Sequence, residues 1–272
     1  MKPLLDYTWK EIDSLPKEKT FLFMTVAPIE EHSLHMPVGV DIELGEYWQK
    51  SSIETLENMF PDYSFIHMPT LPLAAGSMKT FPGCMYIKAK ALRKTMEIIL
   101  KNITAWGIKN LVIIASHGDP FHNIAIEKAC TRNNRYYNTN FISPMGSLFS
   151  YKELNIDLGF SKSTKKMIEE YPNDFHAGWI ETSMMLDKSS DRVSDKYTRL
   201  EDVNVTEKEM IQPKKYIKKT AGKGHLGFPR LSDSELGRDL NQSTVSFIVK
   251  IVSRMINLED IQIYTHHSLY KL

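Results

Sequence analysis

The sequence lacks the features that mark secreted and membrane proteins. Cysteine is rare: Cys84 and Cys130 are the only two among 272 residues and show no paired spacing, so ordinary thiols are favoured over a disulfide. No apolar run approaches the roughly 18 residues of a membrane-spanning helix. The opening segment MKPLLDYTWKEID also lacks the long apolar core of a signal peptide. These absences predict a cytoplasmic protein that does not enter a membrane.

An excess of charge is also missing. The 34 basic and 33 acidic residues leave a formal net charge of +1, so no overall basic field exists to attract nucleic acid. The absence of a glycine-rich phosphate loop counts against a phosphotransferase. No linker, repeat or low-complexity tract divides the chain, so we expect a single domain over residues 1–272.

Strand-like and helix-like segments alternate along the chain. The predicted strands are Phe21–Ile29, Tyr63–Met68, Leu111–Ala115 and Phe141–Ser143. The predicted helices are a short one capped by Thr8 and Glu11, an amphipathic one from Ala89 to Trp106, one from about Asn123 to Asn133, and one from Val245 to Leu258. This alternation favours an α/β fold with a mostly parallel sheet between helical layers.

Histidine and carboxylate residues cluster directly after two of these strands. The segment APIEEHSLHMPVGVD contains Glu30, His32 and Asp41, and SHGDPFHN contains His117 and Asp119. Ligands of open α/β sheets bind beyond the carboxyl ends of the strands. Because oxygen and imidazole ligands suit divalent cations of the Zn, Mn or Fe type, the clusters predict a site for one or two such ions.

The motifs, taken together, resemble the creatininase (creatinine amidohydrolase) family of metal-dependent hydrolases. That family has a Glu-x-His motif with an Asp eleven residues after the Glu, and Glu30, His32 and Asp41 keep this spacing. Its strand ending in Asn-Gly-His is approximated by SHGDPFHN. Its His-(Ala/Gly)-Gly-x-x-Glu-Thr-Ser segment is closely matched by HAGWIETS, from His176 to Ser183.

The resemblance implies a three-layer α/β/α fold, a small-molecule substrate and a homo-oligomer, often a hexamer. It assigns metal binding to Glu30, His32, Asp41 and His117, with Asp41 between two ions. Asp119 stands where creatininase itself has a glutamate ligand. The Asp119 side chain is shorter than glutamate, so Asp119 is either a metal ligand or an ordinary loop carboxylate.

Proton transfer is assigned by the same resemblance to the third motif. His176 stands in the position of the family's catalytic histidine, and Glu181 would either take a proton from water or bind a metal. Glu31 should face away from the site if the strand continues, which predicts a surface carboxylate. His35 and His122 are either partners that orient a ligand or ordinary core histidines.

The substrate is expected to be a small amide or cyclic amide, but not creatinine. Creatininase carries a Tyr after its metal-binding His and a Glu before its catalytic His, whereas this sequence has Gly118 and Phe175 there. Pro172 stands where a Trp would grip creatinine. The alternative is ring opening of an oxidised cyclitol (keto-inositol) or a lactone. A non-catalytic metal-binding protein is disfavoured because it would need neither His176 nor Glu181.

Overall fold

A parallel sheet of four strands forms the centre of the fold. The strands are β1 (Thr20–Thr25), β2 (Ser64–His67), β3 (Asn110–Ile114) and β4 (Asn140–Ile142). They lie in the order β2-β1-β3-β4, and each neighbouring pair is parallel. This computed structural model describes residues 2–210, 212–265, 267 and 270.

Helices pack around this sheet in two groups. The helices are α1 (Trp9–Ser14), α2 (Val40–Met59), α3 (Ala89–Ala105), α4 (Pro120–Tyr137), α5 (Met145–Phe149), α6 (Lys162–Glu170), α7 (Trp179–Ser189), α8 (Glu207–Met210), α9 (Pro213–Lys219) and α10 (Ser234–Ile256). Helix α3 packs against α4, while α10 packs against α2 and α7. The predicted three-layer α/β/α fold is confirmed.

The apolar pattern of the sequence explains the core. Every residue of β1 and β3 is buried, as expected for parallel strands covered on both faces. Helix α3 buries Leu92, Met96, Leu100 and Ile103, which recur at steps of three and four. The chain leaves this helix at Gly107, whose φ of 82° is a left-handed conformation that glycine adopts without strain.

Several element boundaries differ from the sequence prediction. Strand β1 ends at Thr25 rather than Ile29. Helix α2 was not predicted, and it places Asp41 in its first turn. Helix α10 begins at Ser234, well before Val245, because the Asp233 carboxylate accepts hydrogen bonds from the backbone N–H groups of its first turn. Within the described residues, no helix is long and apolar enough to cross a membrane.

Candidate functional site

Two adjoining groups of ligand-type side chains lie beyond the carboxyl ends of β1 and β3. The first group is Glu30, Asp41 and His117, and their nearest ligand atoms all lie within 4.8 Å of one another. Glu30 Oε2 is 2.9 Å from His117 Nδ1, and Asp41 Oδ1 is 3.8 Å from the same nitrogen. The structure therefore brings together three predicted residues from two distant segments.

The second group is His32, His176 and Glu181, again with ligand atoms within 4.8 Å of one another. Glu181 Oε2 lies 3.5 Å from His32 Nε2 and 4.0 Å from His176 Nδ1. Asp41 Oδ2 lies 3.7 Å from His32 Nε2. The two oxygens of Asp41 thus face different groups, which is the geometry that a shared ligand requires.

Local structure explains how these side chains reach one place. Asp41 and Glu181 both lie in the first turn of a helix, α2 and α7 respectively, where the helix dipole favours negative charge. His117 follows β3 after two residues. The hydroxyl of the intervening Ser116 donates to the Asp41 carbonyl at 2.7 Å and ties this loop to α2.

Several of the ligand atoms are buried without a hydrogen-bond partner. These atoms are Glu30 Oε2, His32 Nε2 and Asp41 Oδ2. Most buried polar atoms in folded proteins have a partner, so a cluster of exceptions needs an explanation. Carboxylate oxygens and imidazole nitrogens are the donor set that Zn and Mn accept. The residues present therefore fit one or two divalent cations.

The opposite charges of the first group stabilise one another. Burial raises the pKa of Glu30, but the neighbouring histidines outweigh it and hold that pKa well below its usual range. Burial lowers the pKa of His117, but Glu30 and Asp41 outweigh it and raise that pKa well above its usual value. Glu30 is consequently a carboxylate at neutral pH, the form that binds a cation.

Glu31 is not the surface carboxylate that the sequence predicted. It is buried, and its Oε1 lies 3.4 Å from His176 Nε2. The alternation rule failed because β1 ends at Thr25, and Ser33 then adopts a left-handed φ of 61° that turns the segment. Glu31 Oε2 accepts a 2.8 Å hydrogen bond from Ser33 N inside this turn.

Asp119 lies outside both groups. Its Oδ1 caps α4 by accepting hydrogen bonds from Phe121 N and His122 N, at 2.8 and 3.2 Å. His122 is buried, and its Nε2 lies 3.2 Å from the Val26 carbonyl. His35 is also buried, 2.8 Å from the Thr182 hydroxyl. Each of these side chains makes hydrogen-bonding contacts with residues that surround the two ligand groups.

Tyr86 reaches the site but was missed from the sequence. Its hydroxyl donates to Glu30 Oε1 at 2.6 Å, and its ring stacks against that of His117 with centroids 6.4 Å apart. An antiparallel bridge between Ile29 and Met85 sets this contact. The Phe-Pro-Gly motif nearby marks the loop, but nothing in the sequence shows that the loop returns to Glu30.

Comparison with known proteins gives one family. The family model described as creatinine amidohydrolase matches residues 5–252. A Glu-to-Gln mutant of creatininase, described as the Zn-Zn type, is 20% identical over 94% of this chain and 99% of its own, with a TM-score of 0.70. A mutant creatininase complexed with creatine is 19% identical over 93% and 99%, with a TM-score of 0.70.

A manganese form of creatininase is 20% identical over 93% of this chain and 99% of its own, with a TM-score of 0.67. No curated protein sequence matches the chain. The solved structures show a shared fold, and they include Zn and Mn forms. Because the family model spans nearly the whole sequence, the chain belongs to the creatininase family, whose members are metal-dependent amidohydrolases.

Proposed function

We propose that this chain hydrolyses a small amide or cyclic amide other than creatinine, with water activated by one or two divalent cations. The observation that carries the proposal is the pair of adjoining ligand groups with Asp41 facing both. Glu30, Asp41 and His117 would hold one cation, and Asp41, His32 and Glu181 the other. A bound cation of this kind lowers the pKa of water from 15.7 to about 7 and polarises a carbonyl group.

His176 is suited to give a proton to the leaving nitrogen. Its Nε2 lies 2.8 Å from the Glu31 carbonyl oxygen and so must donate to it, which leaves Nδ1 facing Glu181 and the site. Burial lowers the pKa of His176, but Glu30 and Glu31 outweigh it and raise that pKa to about 10. Both carboxylates favour the protonated ring, the state that a general acid needs.

The residues next to His176 and His117 in the chain support a substrate other than creatinine. Phe175 packs with Met78, Tyr216 and Leu226 in a small apolar cluster, at the position where creatininase has a glutamate. A phenyl ring there cannot form the ion pair that a carboxylate would form with a basic, guanidine-like ring. At Gly118 an added Cβ would meet nothing within 4 Å, so the space beside His117 is open.

A substrate screen with metal analysis tests this function. Purified protein should contain Zn, Mn or Fe, and it should hydrolyse a member of a panel of amides, formamides and cyclic amides. Turnover of a lactone or a keto-inositol instead would favour ring opening of those compounds. Metal-free protein with full activity would end the proposal. Homo-oligomer formation, which we also propose, is tested by light scattering.

His176→Ala tests the division of roles. It should keep its metal and lose turnover by roughly 10²- to 10⁴-fold, as expected for a missing general acid or base. His67→Ala is the control, because His67 lies on β2 outside both ligand groups. Loss of metal from the His176 variant would make His176 a ligand, and near-normal turnover would move proton transfer to another residue.

A further inference from the structure

We propose that Tyr86 is a positioning residue for the metal site. Its hydroxyl engages one oxygen of Glu30 and leaves the other oxygen to bind a cation. The inference rests on the proposed metal-binding role of Glu30 and adds a residue that the family motifs in this sequence do not include.

The two oxygens of Glu30 have different surroundings. Oε1 accepts the 2.6 Å hydrogen bond from the Tyr86 hydroxyl. Oε2 is buried without a hydrogen-bond partner and faces His117. The Tyr86 hydroxyl is the donor in this bond, because a carboxylate oxygen can only accept. A hydrogen bond to an ionised acceptor is among the strong ones in proteins.

The Tyr86 ring is held in place from several directions. Met85 N donates to the Ile29 carbonyl at 2.9 Å, which fixes the backbone of this loop beside Glu30. Gly76 lies so close that an added Cβ would be 2.2 Å from Tyr86 Cε1. His117 stacks on the ring with an interplanar angle of 24°. The hydroxyl is therefore aimed at Glu30 before any cation arrives.

A fixed carboxylate binds a cation at a lower entropic cost than a freely rotating one. Side chains that orient metal ligands typically change metal affinity by 10–100-fold when they are lost. Tyr86→Phe removes the hydroxyl alone and keeps the ring that packs on Gly76 and His117. We expect it to weaken Zn²⁺ binding at the Glu30 site by about 10–100-fold and to leave the His32 site unchanged.

The experiment is a competition titration of metal-free full-length protein with Zn²⁺ against a chelating dye. The matched control is Tyr151→Phe, because the Tyr151 ring packs on Phe160 and lies outside both ligand groups. A second comparison is made in a Glu30→Gln background, where Tyr86→Phe should have no further effect because the two residues act as one unit. The Co²⁺ absorption spectrum of the Phe variant should also change, since both oxygens of Glu30 become free.

The outcomes separate this inference from the proposed function. A wild-type protein that binds none of Zn²⁺, Mn²⁺ and Fe²⁺ refutes the function itself. Tight wild-type binding with equal affinity in Tyr86→Phe overturns the role of Tyr86 alone, and so does equal weakening by both tyrosine variants. If the Phe variant does not fold, replacement of Tyr86 by 3-fluorotyrosine keeps the ring and hydroxyl but strengthens the donor. Unchanged Zn²⁺ affinity in that protein would also overturn the role.

Discussion

Asp41→Asn should remove both metal sites at once. Asp41 Oδ1 lies 3.8 Å from His117 Nδ1, and Oδ2 lies 3.7 Å from His32 Nε2, so each ligand group uses a different oxygen. Asparagine replaces one oxygen with an NH₂ group, which cannot bind a cation, and removes the negative charge. Because the side chain is nearly isosteric, the core around α2 should stay packed.

The size of the effect follows from binding linkage. A ligand present at 100 times its Kd stabilises the folded state by about 2.7 kcal/mol per site. Two sites therefore contribute about 5 kcal/mol, and each kcal/mol shifts Tm by about 2–4 °C in a chain of roughly this size. Zn²⁺ at this excess should raise the Tm of metal-free wild type by about 10–20 °C, but that of Asp41→Asn by only a few degrees.

The assay is thermal unfolding with and without Zn²⁺, combined with elemental analysis. Asp202→Asn is the control, since Asp202 pairs with Arg230 at 2.8 Å on the surface, away from the site. The reasoning is refuted if Asp41→Asn holds as much metal as wild type and shows the same rise in Tm. Loss of a single ion would show that the amide oxygen that remains in Asp41→Asn still serves one of the two groups.

Two further predictions concern His35 and Asp174, which lie outside the two ligand groups. Burial lowers the pKa of His35 from its ordinary value of 6.5 to about 3. At a pH between these two values, the unfolded chain therefore binds one more proton than the folded chain. The folded state, which holds His35 neutral, therefore has its full stability above pH 6.5 and loses stability as the pH falls below that value. Wild type should thus lose about 1 kcal/mol more than His35→Gln between pH 6 and pH 5 in urea unfolding of chelated protein; equal losses would contradict this. Asp174 Oδ1 accepts from Trp179 N and Phe228 N, and Oδ2 from Ile180 N. Asp174→Ala leaves these three buried donors unpaired and should cost about 3–5 kcal/mol of unfolding free energy, while Asp174→Asn keeps the Oδ1 bonds and should cost about 1–2 kcal/mol. Equal costs in denaturant titrations would show that the bonds do not matter.

Local signals predicted much of the fold. Helix α1 begins as expected, because Thr8 and Glu11 form both hydrogen bonds of a capping box. The apolar residues of α3 recur at helical spacing, so this helix was found within a residue of its bounds. Helix α2 was not predicted although Leu44, Trp48 and Leu56 recur at multiples of four, because the polar residues Gln49 and Ser52 are buried on the same face and interrupt the apolar pattern.

The part of the site that consists of typical metal-binding residues could be predicted from the sequence. His and carboxylate clusters after strands identified Glu30, Asp41 and His117 as neighbours, because parallel strands end at one edge of the sheet. Contacts set by loop geometry were not predictable. Glu31 faces the site because strand β1 ends at Thr25, before the predicted end. Tyr86 lies beside Glu30 because Ile29 and Met85 form a bridge, and no local sequence pattern predicts that bridge.

The fold also explains how so many charges can be buried together. Carboxylates taken out of water are costly unless nearby positive charge or hydrogen-bond donors compensate them. Asp41 and Glu181 meet this need from the first turns of α2 and α7, where the positive ends of two helix dipoles point at the site. Glu181 additionally accepts a 2.5 Å hydrogen bond from Ala177 N. Because this compensation comes from the backbone, it holds Asp41 and Glu181 in place through the fold itself.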